Sequence, residues 1–164
     1  PFFSGTNPQL VQRADGLIAG INTARLFVYD PRSERILSSQ AAGIVTMGID
    51  VCRHDHAVAI TDMAGRLRLF ELDADGAYRF AGGIDLPAPR RVAFTPDCSG
   101  IAVTSGDDST VSMVTRSPLA IQRQYQLGPG LRDLTFVSNT ELAVADACTA
   151  TFITRKGSPP QSTD

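Results

Sequence analysis

Histidine and aspartate side chains stand together at one point of the chain, in the run His54-Asp55-His56. These residue types supply general acids, general bases and metal ligands in many proteins. The run falls in a predicted turn between two strands, where neighbouring side chains point in different directions and a third ligand would have to come from elsewhere. We therefore interpret the three residues as solvated turn residues, with a metal site as the alternative.

A second run of acidic residues, Glu71-Leu72-Asp73-Ala74-Asp75-Gly76, imitates the first half of a calcium-binding loop. Acidic residues alternate along it and glycine takes the sixth position, as in such loops. The twelfth position holds Gly82 instead of the glutamate that completes a calcium site. Because Asp and Gly are also favoured in tight turns for backbone reasons, the run predicts a hairpin turn without a metal.

Aspartate and arginine side chains recur at loop ends that the chain's repeats place on one face. The aspartates stand at the corners between second and third predicted strands and are Asp62, Asp107, Asp108 and Asp146. The arginines stand just before or at the start of predicted strands and are Arg90, Arg91 and Arg132. Carboxylates there could bind a cation or a basic ligand, or each could cap its own turn. The arginines could hold a carboxylate or a phosphate. These seven residues form the candidate partner-binding face.

Motifs of known catalytic sites are absent from the sequence. The chain has no GxSxG, HExxH, GxxxxGK[ST] or GxGxxG motif, so nucleophile elbows, zinc protease sites, P-loops and Rossmann turns are not indicated. The sequence therefore predicts no catalytic residue, no cofactor and no metal site.

A fourfold repeat must position all of these side chains. Short apolar runs begin 40, 44 and 41 residues apart, at Leu17, Ala57, Ile101 and Leu142. A second set of runs begins 41, 44 and 41 residues apart, at Arg25, Arg66, Thr110 and Thr151. Within each repeat, one run of the first set and one of the second set follow an earlier β-like run. In the first three repeats a weaker run comes after them, which indicates four strands per repeat. Such units predict an all-β fold, a β-propeller of about four four-stranded blades.

The predicted blades cover approximately residues 1–43, 44–88, 89–130 and 131–156, and a polar C-terminal tail covers 157–164. The last repeat ends one strand short, and Phe2 and Phe3 would supply that strand if the blades close into a four-bladed ring. The alternative is a part of a larger propeller, whose open edges would need a partner. Aromatic residues recur at strand positions of the repeat and are predicted to pack between blades: Phe27, Phe70, Phe94, Phe136 and Phe152.

The segment from Val92 to Val111, VAFTPDCSGIAVTSGDDSTV, resembles the repeat core of WD40 propellers and their YVTN relatives. Leu26 to Asp30 resembles the WD40 strand that ends in Trp-Asp, with Tyr29 in place of tryptophan. The stretch from Val111 to Phe136, with Gly128-Pro129-Gly130 before a new strand, is similar to YVTN and lactonase-like propellers. The chain departs from the WD40 pattern because it has no Trp and no Gly-His pair. The WD40 resemblance implies a protein-interaction scaffold.

Composition argues against other classes of function. The chain is 43% hydrophobic with a net charge of −2, and its 15 basic residues are scattered, so we expect no nucleic-acid partner. No apolar run approaches the ~18–20 residues of a membrane helix, so no membrane insertion is expected. The three cysteines, Cys52, Cys98 and Cys148, cannot all pair, which favours a reducing, cytoplasmic setting. Cys98, in a predicted turn, is the thiol expected to be most accessible.

Three functions are compatible with these observations. The first is a non-catalytic protein-interaction scaffold with a protein partner, which the missing catalytic motifs favour. The second is a structural subunit that completes a propeller with another chain, as an oligomer or within a larger assembly. The third is a lactonase-like or dehydrogenase-like propeller that binds a ligand or metal over its channel.

Overall fold

A computed structural model of the protein describes residues 8–106, 109–146 and 149–154, and the backbone of residues 161–163. The first sheet contains β1 (Gln9–Gln12), β2 (Ile18–Asn22), β3 (Arg25–Asp30) and β4 (Arg35–Ala41). The second contains β5 (Thr46–Val51), β6 (Val58–Asp62), β7 (Arg66–Leu72) and β8 (Tyr78–Asp85). The third contains β9 (Pro89–Phe94), β10 (Gly100–Ser105), β11 (Thr110–Thr115) and β12 (Ala120–Gln126). The fourth contains β13 (Asp133–Ser138), β14 (Glu141–Ala145), β15 (Ala150–Thr154) and β16 (Gln161–Thr163).

Each sheet is antiparallel, and its four strands lie side by side in chain order. We call the sheets blades 1 to 4. The first strand of each blade is the inner one, because β5 contacts both β1 and β9, and β9 also contacts β13. Four such blades confirm the predicted all-β architecture. Across the described residues there is no helix long and apolar enough to cross a membrane.

The hydrophobic core lies between successive blades, so a blade that has a neighbour on each side is buried on both faces. Strand β6 shows the pattern: Val58 and Ile60 pack in the cluster shared with blade 1, and Ala59 packs in the cluster shared with blade 3. All three side chains are fully buried. A strand with two buried faces needs apolar residues at successive positions, which explains why the sequence shows a continuous apolar run there.

The recurring aromatic residues only partly follow the prediction. Phe27, Phe70 and Phe94 are buried, and Phe136 packs against the cluster between blades 3 and 4. Phe152 is 36% exposed on a side of blade 4 that no described blade covers, so its assignment to an inter-blade core stays a prediction. It lies on β15 opposite Ala143, on the side of blade 4 that faces away from blade 3.

A disulfide joins blade 2 to blade 3. Cys52, directly after β5, and Cys98, in the turn between β9 and β10, are bonded with their Cα atoms 5.6 Å apart. Cys98 is buried, so the prediction of an accessible Cys98 thiol is wrong. An odd number of cysteines excluded a full set of pairs, but not this single pair. Cys148 lies outside the described residues.

The last blade has a fourth strand where the sequence indicated a polar tail. Strand β16 pairs with β15 through Ala150–Thr163, Thr151–Ser162 and Phe152–Gln161. The four blades do not close into a ring in the part of the chain that the structure describes. Phe2 and Phe3, the residues predicted to close it, lie outside the described residues.

Candidate functional site

A groove of about 450 Å³ lies where the inner strands of the four blades begin. Blade 1 contributes Gln9, and blade 2 contributes Met47. The remaining lining comes from blade 3 and from the loop that enters blade 4: Arg90, Arg91, Gly106, Gly130, Leu131 and Arg132. We call this the arginine groove. The structure thus brings together the three arginines that the repeat placed on one face.

The peptide group between Arg90 and Arg91 is clamped by two buried threonines. Thr61, on β6 of blade 2, donates its hydroxyl to the Arg90 carbonyl oxygen at 2.6 Å. Thr104, on β10 of blade 3, accepts the Arg91 N–H at 3.0 Å. Both threonines are fully buried and face the second residue of the next strand, Leu67 and Val111. The start of β9 is therefore held from two blades, since both polar groups of one peptide unit are satisfied.

Gly48 makes room for this clamp. A Cβ atom at Gly48 would lie 2.4 Å from the Arg90 carbonyl oxygen and 2.9 Å from the Thr61 hydroxyl oxygen. The nearest atom belongs to the backbone, so a side chain there would push β9 away from β5. Neither the threonine pair nor Gly48 was singled out from the sequence. Thr61 and Thr104 match in strand pairing, but they are 43 residues apart where the repeat step is 44.

Replacing Gly48 with alanine is expected to lower the free energy of unfolding by about 1–3 kcal/mol, the usual cost of overpacking. Urea unfolding followed by circular dichroism measures the change. Gly82→Ala is the matched control, because its Cβ would meet no atom closer than 3.7 Å and it also lies in a strand. Equal stabilities of the two variants would contradict the role assigned to Gly48.

The arginine side chains spread along the groove from blade 3 to blade 4. Arg90 lies across Gly106, where an added Cβ would come within 2.4 Å of its Nε. Arg91 Nε lies 3.4 Å from the carbonyl oxygen of Arg132, as a long hydrogen bond. Arg90 and Arg132 are exposed, and Arg91 is half-buried. Over residues 8–106, 109–146 and 149–154, no carboxylate forms an ion pair with these three guanidinium groups.

The aspartates predicted to share this face have other roles where they are described. Asp62 is fully buried, and its carboxylate accepts hydrogen bonds from Arg68 Nε at 2.7 Å and from the Arg66 N–H at 3.2 Å. Asp62 is therefore not exposed on the predicted partner-binding face. Asp146 caps its own turn by accepting from the backbone and hydroxyl of Thr149. Asp107 and Asp108 lie outside the described residues.

The run of His54, Asp55 and His56 is divided among three separate contacts. His54 Nε2 lies 3.0 Å from the carbonyl oxygen of Pro96 in blade 3. Asp55 pairs with Arg116 at 2.7 Å, and His56 Nε2 lies 4.0 Å from Asp15. Since the three side chains point to different partners, they do not form a shared ligand set. The described side chains include no group of three or more His, Cys, Asp or Glu that could hold a metal ion.

The acidic run that imitates a calcium loop forms the turn between β7 and β8. Asp73 accepts the N–H groups of Asp75 and Ala77 at 3.0 and 2.9 Å, and it pairs with Arg79. Gly76 has a φ of +77°, a conformation that other residues rarely adopt. The prediction of a hairpin turn is therefore correct in its geometry.

A second groove, of about 460 Å³, lies at the other end of the inner strands of blades 2 to 4. Its lining includes Asp50, whose carboxylate accepts the Phe94 N–H at 2.7 Å. Burial raises the pKa of the Asp50 carboxyl, although two backbone N–H groups and the charge of Arg53 act in the opposite direction. Sequence reasoning did not single out Asp50, because its burial depends on the neighbouring blade.

Asp50 is expected to make stability depend on pH. Its folded-state pKa lies above the value of 3.8 in the unfolded chain, so its contribution is complete below that pH and is lost as pH rises through the folded pKa. Asp50→Asn retains an acceptor oxygen for Phe94 but cannot ionise. We expect this variant to gain stability over the wild type at pH 7 and to show no such gain at pH 3.

Urea unfolding between pH 3 and pH 7 measures this difference. Asp133→Asn, at an exposed position at the start of β13, is the matched control and should follow the wild-type profile. A gain for Asp50→Asn that is the same at both ends of the pH range would contradict the assignment.

Comparison with known proteins identifies the fold. No protein-family model matches the chain, and no curated protein matches it. Among solved structures, it is similar to the β-propeller domain of Myceliophteria thermophila Cps50 (Swd1), with a TM-score of 0.73 and 15% identity over 85% of this chain and 49% of that one. It is similar to a functionally unknown protein from Desulfotomaculum acetoxidans DSM 771, with a TM-score of 0.77 and 14% identity over 94% and 54%. It also resembles Kuenenia stuttgartiensis hydrazine synthase, with a TM-score of 0.80 and 11% identity over 94% and 48%.

These comparisons establish the class of the protein: the chain has a β-propeller fold. Identities of 11–15% support the fold alone, since one propeller architecture serves unrelated functions. The chain spans about half the length of each of the three structures.

Proposed function

We propose that these blades form a non-catalytic protein-interaction scaffold of the WD40-like or YVTN-like kind, with the arginine groove as its docking face. One observation carries the proposal. Three guanidinium groups line a groove to which all four blades contribute, and none of them forms an ion pair with a carboxylate among the described residues. A rigid concave surface with fixed charged groups selects a complementary partner without any reaction.

A non-catalytic role is supported by the aspartate residues, because their carboxylates form contacts that stabilise the fold. Asp62 is buried against Arg68, Asp73 closes a hairpin turn, and Asp55 bridges to Arg116 of the next blade. A ligand-binding or metal-binding propeller would require such carboxylates to converge over the channel. Asp62 does not reach that position.

A protein is the favoured partner, since only three of the 15 basic residues line the groove and the others are scattered along the chain. The chain as a whole carries 17 acidic and 15 basic residues, whereas nucleic-acid binding requires an extended basic surface. The expectation of no nucleic-acid partner follows from this balance.

Affinity capture followed by mass spectrometry tests the scaffold role. The wild type is compared with the variant carrying Arg90→Gln, Arg91→Gln and Arg132→Gln. A matched variant removes the same charge from the outer strands through Arg35→Gln, Arg79→Gln and Arg123→Gln. We expect a stoichiometric partner that the wild type and the matched variant retain and the groove variant loses. Absence of a specific partner for the wild type, or measured turnover of a substrate, would contradict the proposal.

A second candidate function is a structural arc that completes a propeller with another chain. It is favoured by the side of blade 4 that no described residue of another blade covers. Phe152 is 36% exposed and Val137 is 57% exposed. Phe152 and Thr135 are both cross-strand neighbours of Ala143, on the side opposite the core cluster of blades 3 and 4. In blades 2 and 3, the corresponding side is covered by the next blade. A further blade is therefore the natural occupant of this surface.

Replacing Phe152 with aspartate is expected to abolish such an assembly, because a charge would be buried against the next blade. Size-exclusion chromatography with light scattering measures the mass of the wild type and of the variant. We expect association for the wild type and a monomer for Phe152→Asp, with Arg123→Gln on an outer strand behaving as the wild type. A monomeric wild type would exclude self-assembly through this surface.

A further inference from the structure

The three guanidinium groups of the arginine groove do not converge on one point. Arg90 and Arg91 are successive residues of β9, and successive side chains of a strand point to opposite sides. Arg90 lies against Gly106 of its own blade, whereas Arg91 extends to the Arg132 carbonyl oxygen at the entrance of blade 4. Arg132 belongs to the segment that Arg91 reaches, so the three residues follow one another from blade 3 to the entrance of blade 4. A row of cations fits several anionic groups in sequence better than a single compact anion.

The backbone beneath this row is fixed before any ligand arrives. The peptide unit between Arg90 and Arg91 is bonded on both sides by the buried hydroxyls of Thr61 and Thr104. Gly106 N–H donates to the Ala88 carbonyl oxygen at 2.9 Å, which ties the surface under Arg90 to the loop that precedes β9. Groups that are ordered in the free protein lose less entropy when a partner binds.

Neutral side chains complete the groove. Met47 and Leu131 are half-buried and offer apolar surface, and Gln9 uses its amide to donate to the Met47 carbonyl oxygen at 2.6 Å. The described residues of the lining include no aromatic side chain on which a nucleotide base could stack. Acidic side chains, which have methylene groups and a terminal carboxylate, match a surface of this kind. Their methylene groups can contact Met47 or Leu131 while the carboxylate reaches an arginine.

Resting on the scaffold function proposed above, we propose that the arginine groove binds an acidic peptide segment of a partner protein. Glutamate or aspartate carboxylates of that segment pair with Arg90, Arg91 and Arg132, since guanidinium and carboxylate groups form bidentate charge-assisted hydrogen bonds. Thr61 is a positioning residue, because it acts on the ligand only through the Arg90 backbone.

Fluorescence anisotropy with the full chain and a labelled hexaglutamate peptide tests the proposal. We expect binding that weakens as salt is added, and about a tenfold or greater loss for each of Arg90→Gln, Arg91→Gln and Arg132→Gln. Arg35→Gln, which removes the same charge from an outer strand of blade 1, should bind as the wild type. Hexaglutamine should not bind. Circular dichroism verifies that each variant is folded.

The positioning role of Thr61 can be distinguished from direct charge pairing by the salt dependence of hexaglutamate binding. Thr61→Val is expected to weaken hexaglutamate binding while the dependence of affinity on salt stays as in the wild type, since no charge is lost. Thr61→Ser restores the hydroxyl and should restore affinity. Each arginine variant, in contrast, should show a weaker salt dependence because one ion pair is missing.

Three results would overturn the inference. They are no binding of hexaglutamate at low salt, binding that the arginine variants do not change, and complete competition by millimolar inorganic phosphate or tighter binding of a six-nucleotide thymidine strand. The outcome is separable from that of the scaffold proposal. A captured partner whose binding is independent of the arginines contradicts only the acidic segment, whereas arginine-dependent hexaglutamate binding without any captured partner contradicts only the scaffold role.

Discussion

Replacing Asp62 with alanine is expected to lower the free energy of unfolding by about 3 kcal/mol or more, the usual effect of removing one partner of a buried ion pair. The Asp62 carboxylate is fully buried and lies 2.7 Å from Nε of Arg68, whose side chain is only 20% exposed. Asp62 also accepts the Arg66 N–H across the turn between β6 and β7. Its removal leaves a guanidinium and a backbone donor without their partner. Urea unfolding followed by circular dichroism measures the loss.

Asp85→Ala is the matched control for this experiment. Asp85 also pairs with an arginine of β7, Arg66, at 2.8 Å, but its side chain is 81% exposed. An exposed pair contributes about 0–1 kcal/mol, because water and salt screen its charges. Burial therefore accounts for the expected difference between the two variants. If Asp62→Ala were no more destabilising than Asp85→Ala, the buried pair would not stabilise the fold as assigned.

Reduction of the Cys52–Cys98 disulfide is expected to lower the free energy of unfolding by about 2–4 kcal/mol. The two cysteines are separated by 46 residues, so the bond closes a long loop and restricts the unfolded chain strongly. It also connects blade 2 to blade 3 beside the contact between His54 and Pro96. Urea unfolding with and without a reducing agent measures the effect.

The double variant Cys52→Ser and Cys98→Ser provides the control for reduction. It cannot form this bond, so the reducing agent should leave its stability unchanged, and its stability should approach that of the reduced wild type. Mass measurement after thiol alkylation verifies the redox state of each sample. A wild type whose stability does not respond to reduction would contradict a stabilising role for the bond.

Much of the fold could be predicted because each blade is specified locally. Strand β3 begins at Arg25 and β7 at Arg66, at the positions that the repeat indicated. Strand-forming residues and turn-forming Asp and Gly residues act over a few positions, so their pattern is readable in the sequence. Strand β16 escaped prediction because its residues, Gln161 to Thr163, are polar and are recruited by pairing with β15.

The candidate site was predicted only in part. The repeat placed Arg90, Arg91 and Arg132 on one face, and they line one groove. The same reasoning placed Asp62 there, although the structure buries it beside Arg68. Equivalent positions of a repeat share a backbone location, but the neighbouring blade decides whether a side chain is exposed. Position in the repeat was therefore a better guide to location than to accessibility.

By itself, the sequence determined the strands other than β16, the turns and their fourfold repetition, because these depend on residues close together in the chain. Tertiary structure alone decided which residues meet across blades: Thr61 with Arg90, Cys52 with Cys98, and Asp50 with Phe94. These contacts join residues 29 to 46 positions apart. They depend on how one twisted sheet packs on the next, including the close approach that the missing side chain of Gly48 allows. No local sequence pattern encodes that packing.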